Sequence, residues 1–188
     1  GFEVAVGVTV KEPSHFRLAE SQLARSEQWV PLGLSASNKV ESELVFAGYG
    51  ITVKDYGYDD YAGVDVNGKI AVVLRYEPPP KDAGSPFKKY PEYSVHSALR
   101  TKANIARDHG AIGMILVDMN RPGDNQELVS TRSSLWRGGR NLVAVQVKRG
   151  VMESRLAALG ISLSALKKKI DGGARPRGSR RRSPAVPG

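Results

Sequence analysis

Apolar and polar positions along this chain follow two different periods, and the changes between them mark its elements. Phe2, Val4, Val6, Val8 and Val10 alternate with Glu3, Ala5, Gly7 and Thr9, which predicts a strand that Pro13 ends. Between residues 15 and 32 neither period holds, because Leu18, Leu23 and Trp29 fit no regular face. Residues 34–37 and 40–46 bracket Asn38-Lys39 and predict a hairpin. Gly48 and Gly50 then flank Tyr49, and glycines inside a strand pattern predict a bend or bulge. Residues 59–63, Asp-Asp-Tyr-Ala-Gly, read as a turn whose carboxylates accept backbone N–H groups. Asn67-Gly68 is a tight-turn signal ahead of the apolar run 70–74.

Past that run, Pro78, Pro79 and Pro80 enforce an extended segment without donors, and residues 81–92 form a polar loop. Ser94 can cap a helix over 95–109 whose apolar face is Ala98, Leu99, Ala103, Ile105 and Ala106, with Gly110 at its stop. A buried strand over 111–117 completes a strand–helix–strand pattern, that of a βαβ crossover. Residues 118–141 form a long loop, 142–147 a strand, 151–159 a short helix stopped by Gly160, and 163–170 a last helix started by Ser162 or Ser164.

Charge changes this picture only at one end. The chain of 188 residues carries a formal net charge of +9, but from Lys167 onward eight basic residues face one acid, Asp171. Seven of the nine net charges therefore lie there, and the remainder is close to neutral. The tail can attract nucleic acid, but its Arg, Pro, Gly and Ser cannot bury a core, and nucleic acid is not the expected partner. Absence of cysteine excludes disulfides and thiolate metal sites. No apolar run approaches the roughly 20 residues that cross a bilayer, so no membrane partner is expected. A start at Gly1 instead of Met suggests an excised or processed fragment.

Candidate chemistry is sparse. His15, His96 and His109 have no ligand spacing, no HExxH occurs, and no GxSxG or P-loop is present. Asp59, Asp60 and Asp65 admit two readings, turn capping and a weak calcium site of hard oxygens. Tyr49, Tyr56, Tyr58, Tyr61 and Trp136 likewise form either an exposed aromatic surface for a partner or, in part, the filling of the core beside the bend.

The residues Val-Phe-Ala-Gly-Tyr-Gly-Ile at 45–51, Tyr-Asp-Asp-Tyr at 58–61, Gly-Lys-Ile at 68–70, Lys102 to Ala106 and Gly-Ala-Ile-Gly at 110–113 resemble the protease-associated domain. The version they are most similar to is inserted in secreted bacterial zinc aminopeptidases of the transferrin-receptor and glutamate-carboxypeptidase superfamily. The likeness runs from about Leu32 to Ile170. It implies an α+β, β-rich fold, a partly open barrel or sandwich with flanking helices and the βαβ unit. It implies a non-catalytic role: covering the active site of a peptidase and aiding peptide selection, with the zinc held by a separate catalytic domain. No His-x-Asp or Glu-Glu signature of that domain occurs here, so no catalytic residue, metal ligand or cofactor is assigned to this chain.

The resulting expectations are specific. Residues 1–171 form the domain, with 1–31 a remnant of a preceding segment, and 172–188 are a disordered or non-native basic tail, since Arg175 onward departs from the family pattern. Contacts to substrate or partner are expected from Tyr49, Tyr56, Tyr58, Asp59, Asp60, Arg132, Trp136 and Arg137. Partners are the chain's own catalytic peptidase domain and a peptide or protein substrate, in an extracellular or periplasmic setting. The alternative is a stand-alone receptor or sorting domain that binds peptides by itself.

Overall fold

The apolar runs of the sequence become neighbouring strands. The structure is a computed structural model that describes residues 14–18, 21–89, 91–119, 128–129 and 142–172. The expected strand over residues 2–10, the basic tail from 173, and Arg132, Trp136 and Arg137 lie outside the described residues. In chain order the elements are β1 (Arg17–Leu18), β2 (Ser21–Gln22), β3 (Trp29–Pro31), β4 (Leu44–Phe46), β5 (Thr52–Val53), β6 (Tyr58–Asp59) and β7 (Ile70–Leu74). They are followed by α1 (Leu99–Asp108), β8 (Gly113–Val117), β9 (Val143–Val147), α2 (Arg149–Ala157) and α3 (Leu163–Asp171). A five-stranded sheet has the order β3-β9-β8-β7-β4, and β1-β2 and β5-β6 are two-stranded ribbons. The architecture is α+β, and the main sheet stays open, with β3 and β4 as its edges.

Strands β4, β7, β8 and β9 run parallel, and β3 is antiparallel to β9. Helix α1 joins the parallel pair β7 and β8, as the strand–helix–strand pattern requires. Alternation along each strand divides the core in two. Val72, Leu74, Ile115, Val117, Val145 and Val147 pack with Trp29, Met152, Leu163 and Ile170, on the side of α2 and α3. Ala71, Val73, Met114, Leu116 and Ala144 pack with Tyr61, Val64, Val66, Ala103 and Ala106, on the side of α1. A parallel sheet covered on both faces explains why these strands read as continuous apolar runs. Each large aliphatic side chain buried there contributes about 1.5–3 kcal/mol.

Two local expectations give way, and the stretch without a period proves to be built of very short strands. The hairpin around Asn38-Lys39 does not form: β4 runs parallel to β7, while Leu32 N and Ala36 N donate to the Ala144 and Leu142 carbonyls. Turn propensity there is outweighed by ladder bonds to strands far along the chain. The helix expected over 95–109 is interrupted at Ala98, whose ψ of 131° is extended. Ser94 caps a 3-10 turn over Val95–Ser97 by accepting from His96 N, and α1 begins afresh at Leu99. Between residues 15 and 32, strands of two or three residues are too short to show a period, yet Trp29 is buried and its ring lies 5.4 Å from that of Phe16. Among the described residues no helix is long and apolar enough to cross a membrane.

Candidate functional site

The bend that follows β4 gathers Tyr49, Asp60 and Lys102, all buried. Gly48 (φ 54°) and Gly50 (φ 67°) are left-handed, and both are also crowded. A Cβ on Gly48 would sit 2.3 Å from Asp60 Oδ1, and one on Gly50 would sit 2.7 Å from Val73 Cγ1. Glycine is required there by conformation and by space together. Between them Tyr49 is only 1% exposed.

Each polar atom of Tyr49 is held by a different element. Its backbone N–H donates to Asp60 Oδ2 at 3.0 Å, and Ile51 N donates to the same oxygen at 3.1 Å. Tyr58 Oη donates to Asp60 Oδ1 at 2.8 Å. The Tyr49 carbonyl accepts from the Lys102 ammonium on α1. Its hydroxyl donates to Asp171 Oδ1 at 2.8 Å at the end of α3, where Lys167 pairs with the other carboxylate oxygen. One residue, through its backbone N–H, its carbonyl and its hydroxyl, thus ties the exit of β4 to the β6 turn, to α1 and to α3.

Burial sets the electrostatics of this knot. It pushes the Asp60 carboxyl well above the usual carboxylate range, against the pull of Tyr58, the Ile51 N–H, the Lys102 charge and the Tyr49 N–H. Burial likewise lowers the Lys102 ammonium, while Asp60 and Glu77 pull it back up. The hydroxyls of Tyr49 and Tyr58 are raised by burial first and by neighbouring carboxylates next, so both remain neutral donors. Both Asp60 oxygens are occupied and Lys102 is fully enclosed. The arrangement fixes backbone geometry and has no face open to a reacting molecule.

Asp59 does different work one residue away. Its Oδ1 accepts from Thr52 Oγ1 at 2.8 Å and from Tyr61 N at 3.0 Å, closing the β5–β6 ribbon. Asp65 accepts from Asn67 N and pairs with Lys69 at 3.1 Å, so the three carboxylates serve three separate turns. Among the described residues no group of three or more His, Asp or Glu is placed to hold a metal ion. Tyr56 donates to Asp82 Oδ2 at 2.9 Å, and the Tyr56, Tyr58 and His96 rings meet Phe87 edge-on at 6.1, 4.9 and 6.3 Å.

The expected contact residues therefore separate. Tyr49 and Asp60 are not surface groups, because the knot draws both inside. Tyr56, Tyr58 and Asp59 remain half-buried along the ribbon. Among the described residues of the segment 118–141, Val129 donates to Gln146 Oε1 at 2.8 Å, and the buried Asp118 pairs with Arg75 at 3.4 Å.

The PA domain family matches residues 40–154, a span that holds the bend, Asp60, Lys102 and all four parallel strands. This chain belongs to the PA domain family. Among solved structures, an aminopeptidase from Aneurinibacillus sp. strain AM-1 is similar at 22% identity and a TM-score of 0.44, over 71% of this chain and 25% of that one. The chain thus spans a quarter of that protein's length. Comparison with curated proteins gives no match.

Lys102, Asp171 and Glu77 had no role assigned from the sequence. A signal for Lys102 existed: it lies four residues before Ala106 and three after Leu99, on the stripe that faces the sheet. Glu77, also buried, accepts from Lys88 N and Ser94 N at 2.8 Å each and from the Ser94 hydroxyl, and so folds the loop after the prolines. Only the fold pairs Glu77 with residues eleven and seventeen positions later.

Proposed function

We propose that this PA domain is a non-catalytic part of an exported zinc-dependent aminopeptidase, where it covers the active site and helps select peptide substrates. The zinc and its ligands belong, in this reading, to the enzyme's separate catalytic domain. The observation that carries the proposal is the use made of the Phe-Ala-Gly-Tyr-Gly-Ile and Tyr-Asp-Asp-Tyr residues. The Tyr49 backbone, the Tyr58 hydroxyl and the Asp60 carboxylate are spent on a buried knot that stiffens the domain, which leaves the half-buried ribbon and loops on a rigid frame as the means of contact. Tyr56, Tyr58 and Asp59, together with Arg132, Trp136 and Arg137, are the proposed contact residues; Tyr49 and Asp60 act by holding the frame.

Hydrolysis of leucyl p-nitroanilide by the purified chain, with and without added zinc, tests the non-catalytic part. The expected rate equals that of buffer; activity that copurifies with the chain and disappears on chelation overturns the reading. In the full-length enzyme, Trp136→Ala and Arg137→Ala are expected to raise KM for peptides while kcat on the anilide is unchanged. Unaltered KM for every peptide would remove the selection role.

A further inference from the structure

The two edges of the main sheet are finished differently. On β3, the bonds from Lys148 N to the Gln28 carbonyl and from Leu32 N to the Ala144 carbonyl turn even-numbered residues towards β9. Trp29 and Pro31 therefore face outward. Pro31 has no N–H, and the Trp29 carbonyl accepts from Ser26 N at 2.8 Å, so this edge is closed by its own chain.

On β4, the bonds from Ile70 N to the Glu43 carbonyl and from Ala47 N to the Val72 carbonyl, both 2.9 Å, turn odd-numbered residues towards β7. Leu44 and Phe46 consequently direct their N–H and C=O groups away from the sheet, and no described residue bonds to any of the four. Side chains on this edge are only half-buried: Leu44 and Phe46 lean on the core beneath α2 and α3, and Val45 leans on the core beneath α1. Glu41 and Glu43 stand exposed beside it, neither with an ion-pair partner among the described residues, and Lys39 is the one cation within residues 37–46.

We propose that β4 is a docking edge for an extended peptide bearing lysine or arginine, which adds to the sheet as a sixth strand. Main-chain groups two residues apart on β4 meet the same spacing in any extended peptide, which gives affinity. The two glutamates select the sign of the flanking side chains. They also oppose self-pairing, since two β4 edges placed together would gather four carboxylates on one seam. The proposal builds on the peptide-handling role above, but its test uses no peptidase activity, so either can fail alone.

The probe is the blocked peptide acetyl-Lys-Val-Thr-Val-Thr-Val-Lys-amide, followed by amide NMR of the chain. Binding is expected below roughly 1 mM, with exchange of the Leu44 and Phe46 amides slowed about tenfold. N-methylation of alternate peptide amides should abolish it. Replacing the peptide lysines by glutamate should weaken binding several-fold at low salt, with the gap closing as salt is added. Leu44→Pro removes one outward N–H and no ladder bond, and should weaken the peptide while the melting temperature is largely kept. If that variant fails to fold, Glu41→Lys/Glu43→Lys gives the second test and should reverse the preference to the glutamate peptide. Equal affinity for the N-methylated peptide, shifts centred away from residues 41–46, no binding up to roughly 1 mM, or a dimer that protects the same amides would each overturn the proposal.

Discussion

Asp59 and Asp60 are adjacent, chemically identical and employed in opposite ways. Asp60 is 2% exposed and accepts three hydrogen bonds from two separate parts of the chain, with a buried ammonium nearby. Asp59 is half-buried and serves the ribbon it belongs to. The contrast shows how the end of β6 converts sequence adjacency into spatial opposition: Asp59 closes the strand and Asp60 opens the turn after it, so one of the pair stays at the rim and the other enters the interior.

Breaking the interior member should have the largest effect. Asp60→Ala removes an acceptor for three donors and leaves Lys102 without its nearest opposite charge. The expected cost is about 3–5 kcal/mol, read from urea unfolding. A loss as small as that of Asp59→Ala would show that the buried carboxylate is dispensable. Lys102→Met keeps most of the volume and leaves the Tyr49 carbonyl unpaired, so about 2 kcal/mol is expected. Because the two groups share one site, the double variant Asp60→Ala/Lys102→Met should cost less than the sum of the single changes.

The same pair predicts a pH signature. The folded-state pKa of Asp60 is raised, so its contribution is present at acid pH and is lost as pH rises from the ordinary carboxylate range through that raised value. The folded-state pKa of Lys102 is lowered, so its contribution returns as pH climbs from that lowered value to the ordinary lysine range. Stability against pH should therefore dip between the two limbs. Asp60→Asn should flatten the acid limb and Lys102→Met the alkaline one; a profile unchanged by both would sink the assignment.

Smaller effects sharpen the comparison at its margins. Tyr49→Phe loses the bond to Asp171 and should cost about 1 kcal/mol, with amide exchange accelerated in α3 before it changes in β7 or β8. Asp59→Ala should cost about 0.5–1 kcal/mol, confined to the β5–β6 ribbon. Tyr56→Phe, at an exposed hydroxyl bonded to Asp82, should leave the melting temperature unchanged within error.

Much of the fold was legible because its evidence is local. The runs that became β7, β8 and β9 announce themselves by apolar, largely β-branched composition, and Gly110 and Gly160 mark helix stops with φ of 85° and 72°. The bend at Gly48 and Gly50 was equally readable. Pairing was not. Nothing near Asn38-Lys39 says that β4 will choose a parallel partner beyond residue 69 over a local hairpin. Tyr49 and Asp60 were named as contact residues beside the alternatives of core filling and turn capping, and both are buried, since polar residue types do not reveal that their partners arrive from three other elements.

Residue order by itself determined where this chain bends, where its helices stop and which stretches must be hidden from water, since each depends on the conformational range or hydrophobicity of a few consecutive side chains. Tertiary structure alone decided that Asp60 faces inward, that Lys102 meets the Tyr49 carbonyl, and that β3 closes its own edge while no described residue closes that of β4. Those outcomes depend on hydrogen-bond partners supplied from distant positions, and such partners exist only once the sheet has assembled.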